Sequence, residues 1–361
     1  MLGLLVRRGP ILVAPQIQWF HDMDTRRRFL TKFAASTIAP VTLGRALAYS
    51  AIIPNRVARA FHFVQIDVFT SQPLAGNPLS VFTDARGLSD SEMQSLARET
   101  NLQETTFVFP RDVSVEAQEG IKVRIFTPEE EIPFGGHPTL GTATVLQTLR
   151  ARSGTVSADH TSPSTIVLDL KVGKVPVSFR EDADGLFGEM RQVPPVFGAL
   201  HKVRAVAKAL GLNAAQIESD LPIQTVSTGL VFTLVPIRHL STLQSLKFDL
   251  RKAYDYLRQH RQGGGFYFIT RDTCDPGIGL RARAIFPNGE DPATGSAAGC
   301  TSAWMVKYGA ARSDESVLIL QGVEVKRPSR LFVKSSRNGI VISNVRVGGH
   351  AVPIMEGEAT L

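Results

Sequence analysis

"HPTLGTA" at 137–143 and "DPATGSA" at 291–297 follow one pattern: a titratable residue, proline, two variable positions, glycine, a small hydroxyl residue and alanine. The offset between them is 154 residues throughout, so His137 and Asp291 are expected at equivalent places in two halves of one chain. Proline is favoured at the first helical position, where its missing N–H costs nothing. The helices are therefore predicted to begin just after His137 and just after Asp291. Arg150, Arg152 and Gly154 suit the end of the first helix, and Lys307 and Gly309 the end of the second. Positions 138–149 and 292–306 carry no charge. A helix with no charged face is expected to be buried all round.

Strand-like text surrounds both helices. "FHFVQIDVF" (61–69) and "PLSVFTD" (78–84) are rich in β-branched and aromatic residues, and the connector "TSQPLAGN" (70–77) is full of turn formers. Residues 89–101 predict a helix with Ser89 as N-cap. Further strands are expected at 104–110, 122–128, 165–179, 186–193, 266–270, 280–286 and 317–333. Surface helices are expected near 200–211 and 241–260, and the glycines at 263–265 read as a flexible link. The pattern predicts an α+β fold of two pseudo-symmetric halves, each a curled β-sheet or barrel around one central buried helix. The N-terminal half is assigned to 60–190, completed by the last strand at 350–361, and the C-terminal half to 195–349. The seam falls near "RQVPPVFG" (191–198).

The net charge of +7 suggests nucleic acid until it is located. Residues 1–48 hold seven basic and two acidic residues, which leaves the body nearly neutral. No basic stripe with interleaved aromatics appears, so nucleic-acid binding is not expected. Residues 23–48 read as an export leader. A basic region with Thr25-Arg26-Arg27-Arg28-Phe29-Leu30 looks like a twin-arginine signal, and Ala46-Leu47-Ala48 ends the leader with an A-x-A pattern. Residues 1–22 precede Met23 and read as an over-extended start. The expected partner is the twin-arginine export machinery, and the expected location is periplasmic or otherwise extracytoplasmic, with cleavage near Ala48. The alternative is a basic tail without a targeting role. The apolar part of this leader is too short and polar to span a membrane. Cys274 and Cys300 demand no disulfide and are expected as two unpaired, half-buried thiols, and the histidine and cysteine spacings suggest no metal site.

Two buried helix N-termini facing one cleft would bind an anion, and a substrate carboxylate is the natural guest. Asp291 placed before a helix would be a good N-cap, so capping alone is an alternative reading. His137 is a poor N-cap and is harder to explain as structure, although that reading stays open. Glu104, in "NLQETTFV", is the third acid–base candidate or, alternatively, an exposed strand start.

The stretches "AGNPLSVF" (75–82), "NLQETTFVFP" (101–110), "RIFTPEEEIPFGGHPTLGTA" (124–143) and "IFPNGEDPATGSAAG" (285–299) resemble the signatures of the PhzF-like proteins of phenazine biosynthesis, relatives of diaminopimelate epimerase and proline racemase. The resemblance covers about 61–361. It implies the diaminopimelate epimerase-like fold and a cofactor-independent isomerase that shifts a proton within a small carboxylate-bearing metabolite. By motif, Glu104 would be the catalytic acid/base, with His137 and Asp291 assisting. Asn77, Gly136, Gly295 and Ser296 would line the site and bind substrate. Gln103 joins them, but stands where the phenazine enzyme has serine, which points to a different substrate contact. The wider superfamily uses two opposed cysteines as bases. Neither repeat carries one, and Cys300 lies nine residues beyond Asp291. A two-thiol racemase is therefore disfavoured. The competing readings are an epimerase or racemase of an amino or hydroxy acid, and an exported small-molecule binding protein without turnover. The resemblance also implies a homodimer.

Overall fold

The computed structural model describes residues 58–154, 164–260 and 264–361. The leader, its twin-arginine motif and its cleavage site lie outside the described residues. The first half runs β1 (Ala60–Val68), β2 (Asn77–Phe82), α1 (Asp90–Thr100), β3 (Thr105–Phe109), α2 (Val113–Glu119), β4 (Ile121–Phe126), β5 (Glu131–Ile132), α3 (Gly136–Arg152), β6 (Ser164–Leu170), β7 (Gly173–Asp182) and β8 (Gly185–Arg191). The second runs β9 (Val196–Leu200), α4 (Val203–Leu210), β10 (Gln224–Ser227), β11 (Val231–Pro236), α5 (Leu240–Gln244), α6 (Leu250–Gln259), β12 (Gly265–Thr270), β13 (Leu280–Phe286), β14 (Gly289–Asp291), α7 (Gly295–Lys307), β15 (Val317–Gln321), β16 (Ser329–Asn338) and β17 (Val341–Thr360).

Strand pairing states the internal symmetry. In the first half, β1–β2 is antiparallel, β2–β3 parallel, β3–β4 antiparallel, β4–β6 parallel, and β6–β7 and β7–β8 antiparallel. The order β10–β11–β12–β13–β15–β16–β17 repeats that alternation step for step. Parallel pairs need long crossovers, and each half uses its second crossover to carry its buried helix. β17 serves both halves. Its first part pairs with β16 and β8, and its last part with β1, closing the first ladder into a ring.

The helices sit where their lack of charge predicts. In α3, Leu140, Ala143 and Val145 join Ile66, Val68 and Leu79 in the main core. A Cβ on Gly141 would lie 2.7 Å from both Leu79 and Val68. In α7 every residue from Gly295 to Val306 is buried. Trp304 is fully enclosed, and its indole N–H donates to the Pro222 carbonyl at 3.1 Å. Ser89 caps α1 in a reciprocal capping box with Glu92.

Several expectations are corrected. α3 starts at Gly136 with Gly135 as N-cap, so His137 lies inside the helix. α7 starts at Gly295 with Thr294 as N-cap, so Asp291 ends β14 and caps nothing. His137 and Asp291 are therefore not equivalent. The structural copies are "RIFTPEEEIPFGG" (124–136) and "RAIFPNGEDPATG" (283–295), which share Arg-x3-Pro-x2-Glu-x-Pro-x2-Gly. In this register Asp291 matches Ile132, and His137 matches Ser296. Pro138 is the third residue of α3, a first-turn position where no N–H has an intrahelical partner, whereas Pro292 lies in the loop before α7 and marks no helix start. The expected strands 165–179 and 317–333 are each parts of two antiparallel strands, and 241–260 is two helices. Gly265 is not a linker but opens β12. Both cysteines are free, Cys274 exposed and Cys300 buried, so neither is half-buried.

Candidate active site

The two structural copies deliver α3 and α7 to one crossing. A Cβ on Gly136 would lie 2.5 Å from the Gly295 carbonyl carbon and the Ser296 nitrogen, so only glycine permits this approach. Neither helix has a side-chain cap bond at its N-terminus. Their first amides have no intrahelical acceptor, and both dipoles favour negative charge there.

Each copy is braced by the same ion pair. Arg124 Nε and a terminal nitrogen donate to the two Glu131 oxygens at 2.9 and 2.8 Å. Arg283 does the same to Glu290 at 2.9 and 2.6 Å. These forks fix the loops that lead into the helices.

The three acid–base candidates converge. His137 Nε2 lies 3.3 Å from Glu104 Oε2, without the alignment of a hydrogen bond. The Asn77 amide nitrogen lies 3.1 Å from His137 Nδ1 and donates to Asp291 Oδ1 at 2.6 Å and the Ala293 carbonyl at 3.0 Å. Asp291 also accepts from Thr294 Oγ1 at 2.6 Å. Glu104, Asp291, Gln103 and Ser296 line a cleft of about 350 Å³ together with Thr127, Phe232, Phe286 and Asn288. Gly136 and Gly295 form the helix crossing, and Asn77 is a buried bridge. A second cleft of about 370 Å³, bordered by Lys122, Arg124, Glu131 and Asp169, contains none of the three candidates.

Burial separates their proton affinities. Glu104 is held well above the usual carboxylate range, first by burial and then by the neighbouring Asp291 charge. Burial also raises Asp291, while the bonds from Thr294 and Asn77 pull it back. Of this coupled pair, Glu104 is the better proton holder, because hydrogen bonds to Asp291 favour its ionised form. Burial pushes His137 down to about 3, so its imidazole is neutral at ordinary pH. Among the described residues no set of three His, Cys, Asp or Glu side chains is arranged to hold a metal ion.

Sequence reading missed the supporting residues. Gln321 donates to the Asp291 carbonyl at 2.8 Å and to Thr294 Oγ1 at 2.9 Å. Gln192 donates to the Gly295 carbonyl at 3.0 Å and receives Thr228 Oγ1 at 2.6 Å. It occupies the gap left by Gly299, where a Cβ would lie 1.9 Å from its oxygen. Buried glutamines in strand text were the only available signal.

The phenazine biosynthesis-like (PhzC-PhzF) family matches residues 66–357. The chain belongs to that family. It is 34% identical to the trans-2,3-dihydro-3-hydroxyanthranilate isomerase of Pseudomonas chlororaphis over 307 residues, covering 83% of this chain and 99% of the relative. The PhzF-family phenazine biosynthesis protein of Bacillus anthracis superposes with a TM-score of 0.72 at 26% identity, covering 84% of this chain and all of that one. The hydroxyproline epimerase of Agrobacterium vitis shares the fold, with a TM-score of 0.58 at 12% identity and coverage of 84% and 92%. The PhzC-PhzF chain described here is an isomerase with the epimerase-like α+β fold.

Proposed function

We propose that this isomerase moves a proton between two carbons of a small, carboxylate-bearing metabolite, with Glu104 as the shuttle. The observation that carries this reading is the placement of Glu104 on the cleft wall, 3.3 Å from a neutral buried His137 and raised in proton affinity beside Asp291. The helix N-termini would hold the substrate carboxylate. The Glu104 carboxylate would take a proton from an activated C–H, and that bond's electron pair would move into the adjacent π system. Protonated Glu104 would then return the proton at the far carbon as the double bond settles. His137, a neutral ring beside Glu104, would stabilise charge as it develops. Unlike groups at one site suit transfer between carbons better than inversion by two matched bases.

Glu104→Gln tests this. Proton shifting, read as deuterium uptake from D2O into dihydro-hydroxyanthranilate, proline, hydroxyproline and diaminopimelate by NMR, should fall about 10²–10⁴-fold. Retained exchange would sink the assignment, and exchange with inversion at an α-carbon would replace it with an epimerase. The same variant carries a stability signature. Because the folded-state affinity of Glu104 is raised, the native state binds more protons than the unfolded state above pH 4.5. Stability is therefore lost as pH rises through that window. Glu104→Gln should melt higher than wild type at pH 8, and the advantage should vanish near pH 4. Activity of the wild type should rise with pH through the same window, with no limb from His137.

A further inference from the structure

The environment of the Asn77 amide determines more than a contact. Its nitrogen sits among His137 Nδ1, Asp291 Oδ1 and the Ala293 carbonyl. The carbonyl can only accept, and so can the ionised carboxylate. The two acceptors orient the amide with its NH2 group toward them and therefore also toward His137. Asn77 Oδ1 is left without a partner. The amide nitrogen cannot accept, so an Nδ1–H at 3.1 Å would face N–H groups with no acceptor, whereas a lone pair at Nδ1 can share one of the two Asn77 hydrogens with its oxygen acceptors. In a neutral ring the hydrogen then lies on Nε2, the atom 3.3 Å from Glu104.

The peptide units before Asn77 are fixed one by one. Leu74 N–H donates to Asp67 Oδ2 at 2.7 Å. The Ala75 and Gly76 carbonyls accept from Arg327 at 2.8 and 2.7 Å. Gly76 N–H donates to the Pro328 carbonyl at 3.2 Å. Arg327 also pairs with Asp67 Oδ1, whose side chain is 3% exposed. Gly76 has φ +67°, and a Cβ there would lie 2.4 Å from the Val68 carbonyl oxygen. Arg327 comes from the loop between β15 and β16, whereas Asp67 and Asn77 belong to β1 and β2. One half thus clamps the other half's bridging residue.

We propose that Asn77 is a positioning residue that sets His137 as the Nε2–H tautomer, and that the Arg327–Asp67 clamp holds Asn77 in register to do so. Its catalytic consequence rests on the reading of Glu104 as the proton shuttle. The tautomer itself does not.

The test is 15N NMR of the full chain labelled at histidine, with His137 assigned by the signal missing in His137→Gln. Wild type should show a protonated Nε2 and an unprotonated Nδ1. Asn77→Asp places an acceptor opposite Nδ1 and should move the hydrogen to Nδ1. Arg327→Ala should give a mixture of tautomers and a fall in kcat of about 10- to 100-fold, with KM changed less. Arg327→Lys, which keeps the Asp67 charge pair, should restore part of both, and it replaces the alanine variant if that chain does not fold. An Nδ1–H ring in wild type overturns the tautomer assignment. A wild-type tautomer in folded Arg327→Ala, or in Arg327→Lys where alanine does not fold, overturns the clamp. Loss of the Glu104 reading would show in D2O exchange and leave these spectra unchanged.

Discussion

The loop before α3 and the loop before α7 have the same skeleton and opposite equipment. Both carry the Arg–Glu fork, two prolines and the glycine at the helix crossing. After the shared glutamate the first has Ile132 and the second Asp291. After the shared glycine the first has His137 and the second Ser296. At the lip of the cleft Thr127 of the first corresponds to Phe286 of the second. The scaffold repeats because two helix N-termini must meet. The proton-handling groups do not repeat, and they come from different steps of the repeat.

The forks should separate the halves most. Arg283 and Glu290 have side chains only 9% and 10% exposed, and Arg283 also donates to the Leu243, Gln244 and Leu246 carbonyls. Glu290→Gln should cost about 3–5 kcal/mol in urea unfolding. Arg124 and Glu131 are 21% and 23% exposed, and Arg124 keeps Asp90 as a second partner. Glu131→Gln should cost about 1 kcal/mol. Equal losses would mean that the braces are equivalent.

The crossing glycines should differ less. Gly136→Ala drives a methyl into backbone at 2.5 Å and should cost roughly 3 kcal/mol. Gly295→Ala meets Phe69 and Gly136 Cα at 3.0 and 3.1 Å, where the Phe69 ring can shift. It should cost about 1–2 kcal/mol in the same assay. The smallest contrast is at the cleft lip. Phe286→Ala should raise KM about 10-fold by removing an apolar wall, while Thr127→Ala should stay within about 3-fold. A larger effect at Thr127 would place the substrate against the first half.

Much of this was legible in the sequence. Glu104, His137 and Asp291 do meet, and the charge-free helices are buried. The register of the repeat was not. The seven-residue pattern at 137 and 291, identical only at its proline, glycine and alanine, masks the sparser Arg-x6-Glu spacing, although that spacing carries the physical constraint. The β-branched run 223–236, interrupted at Thr228-Gly229, is equally legible as β10 and β11 and stands outside the expected strands. Arg327 gave no sign, because a clamp between residues 260 positions apart exists only in the folded chain.

β17 sets a condition on how this protein is made. Ala60 pairs with Thr360, and β8 is flanked by residues 346–350. The ring of the first half therefore lacks its closing strand until residues 346–360 have left the ribosome. Until then β1 and β8 are open edges, the state in which nascent chains aggregate. Pairing across such sequence separation also makes folding slow. Docking of β17 is thus the step that commits both halves at once.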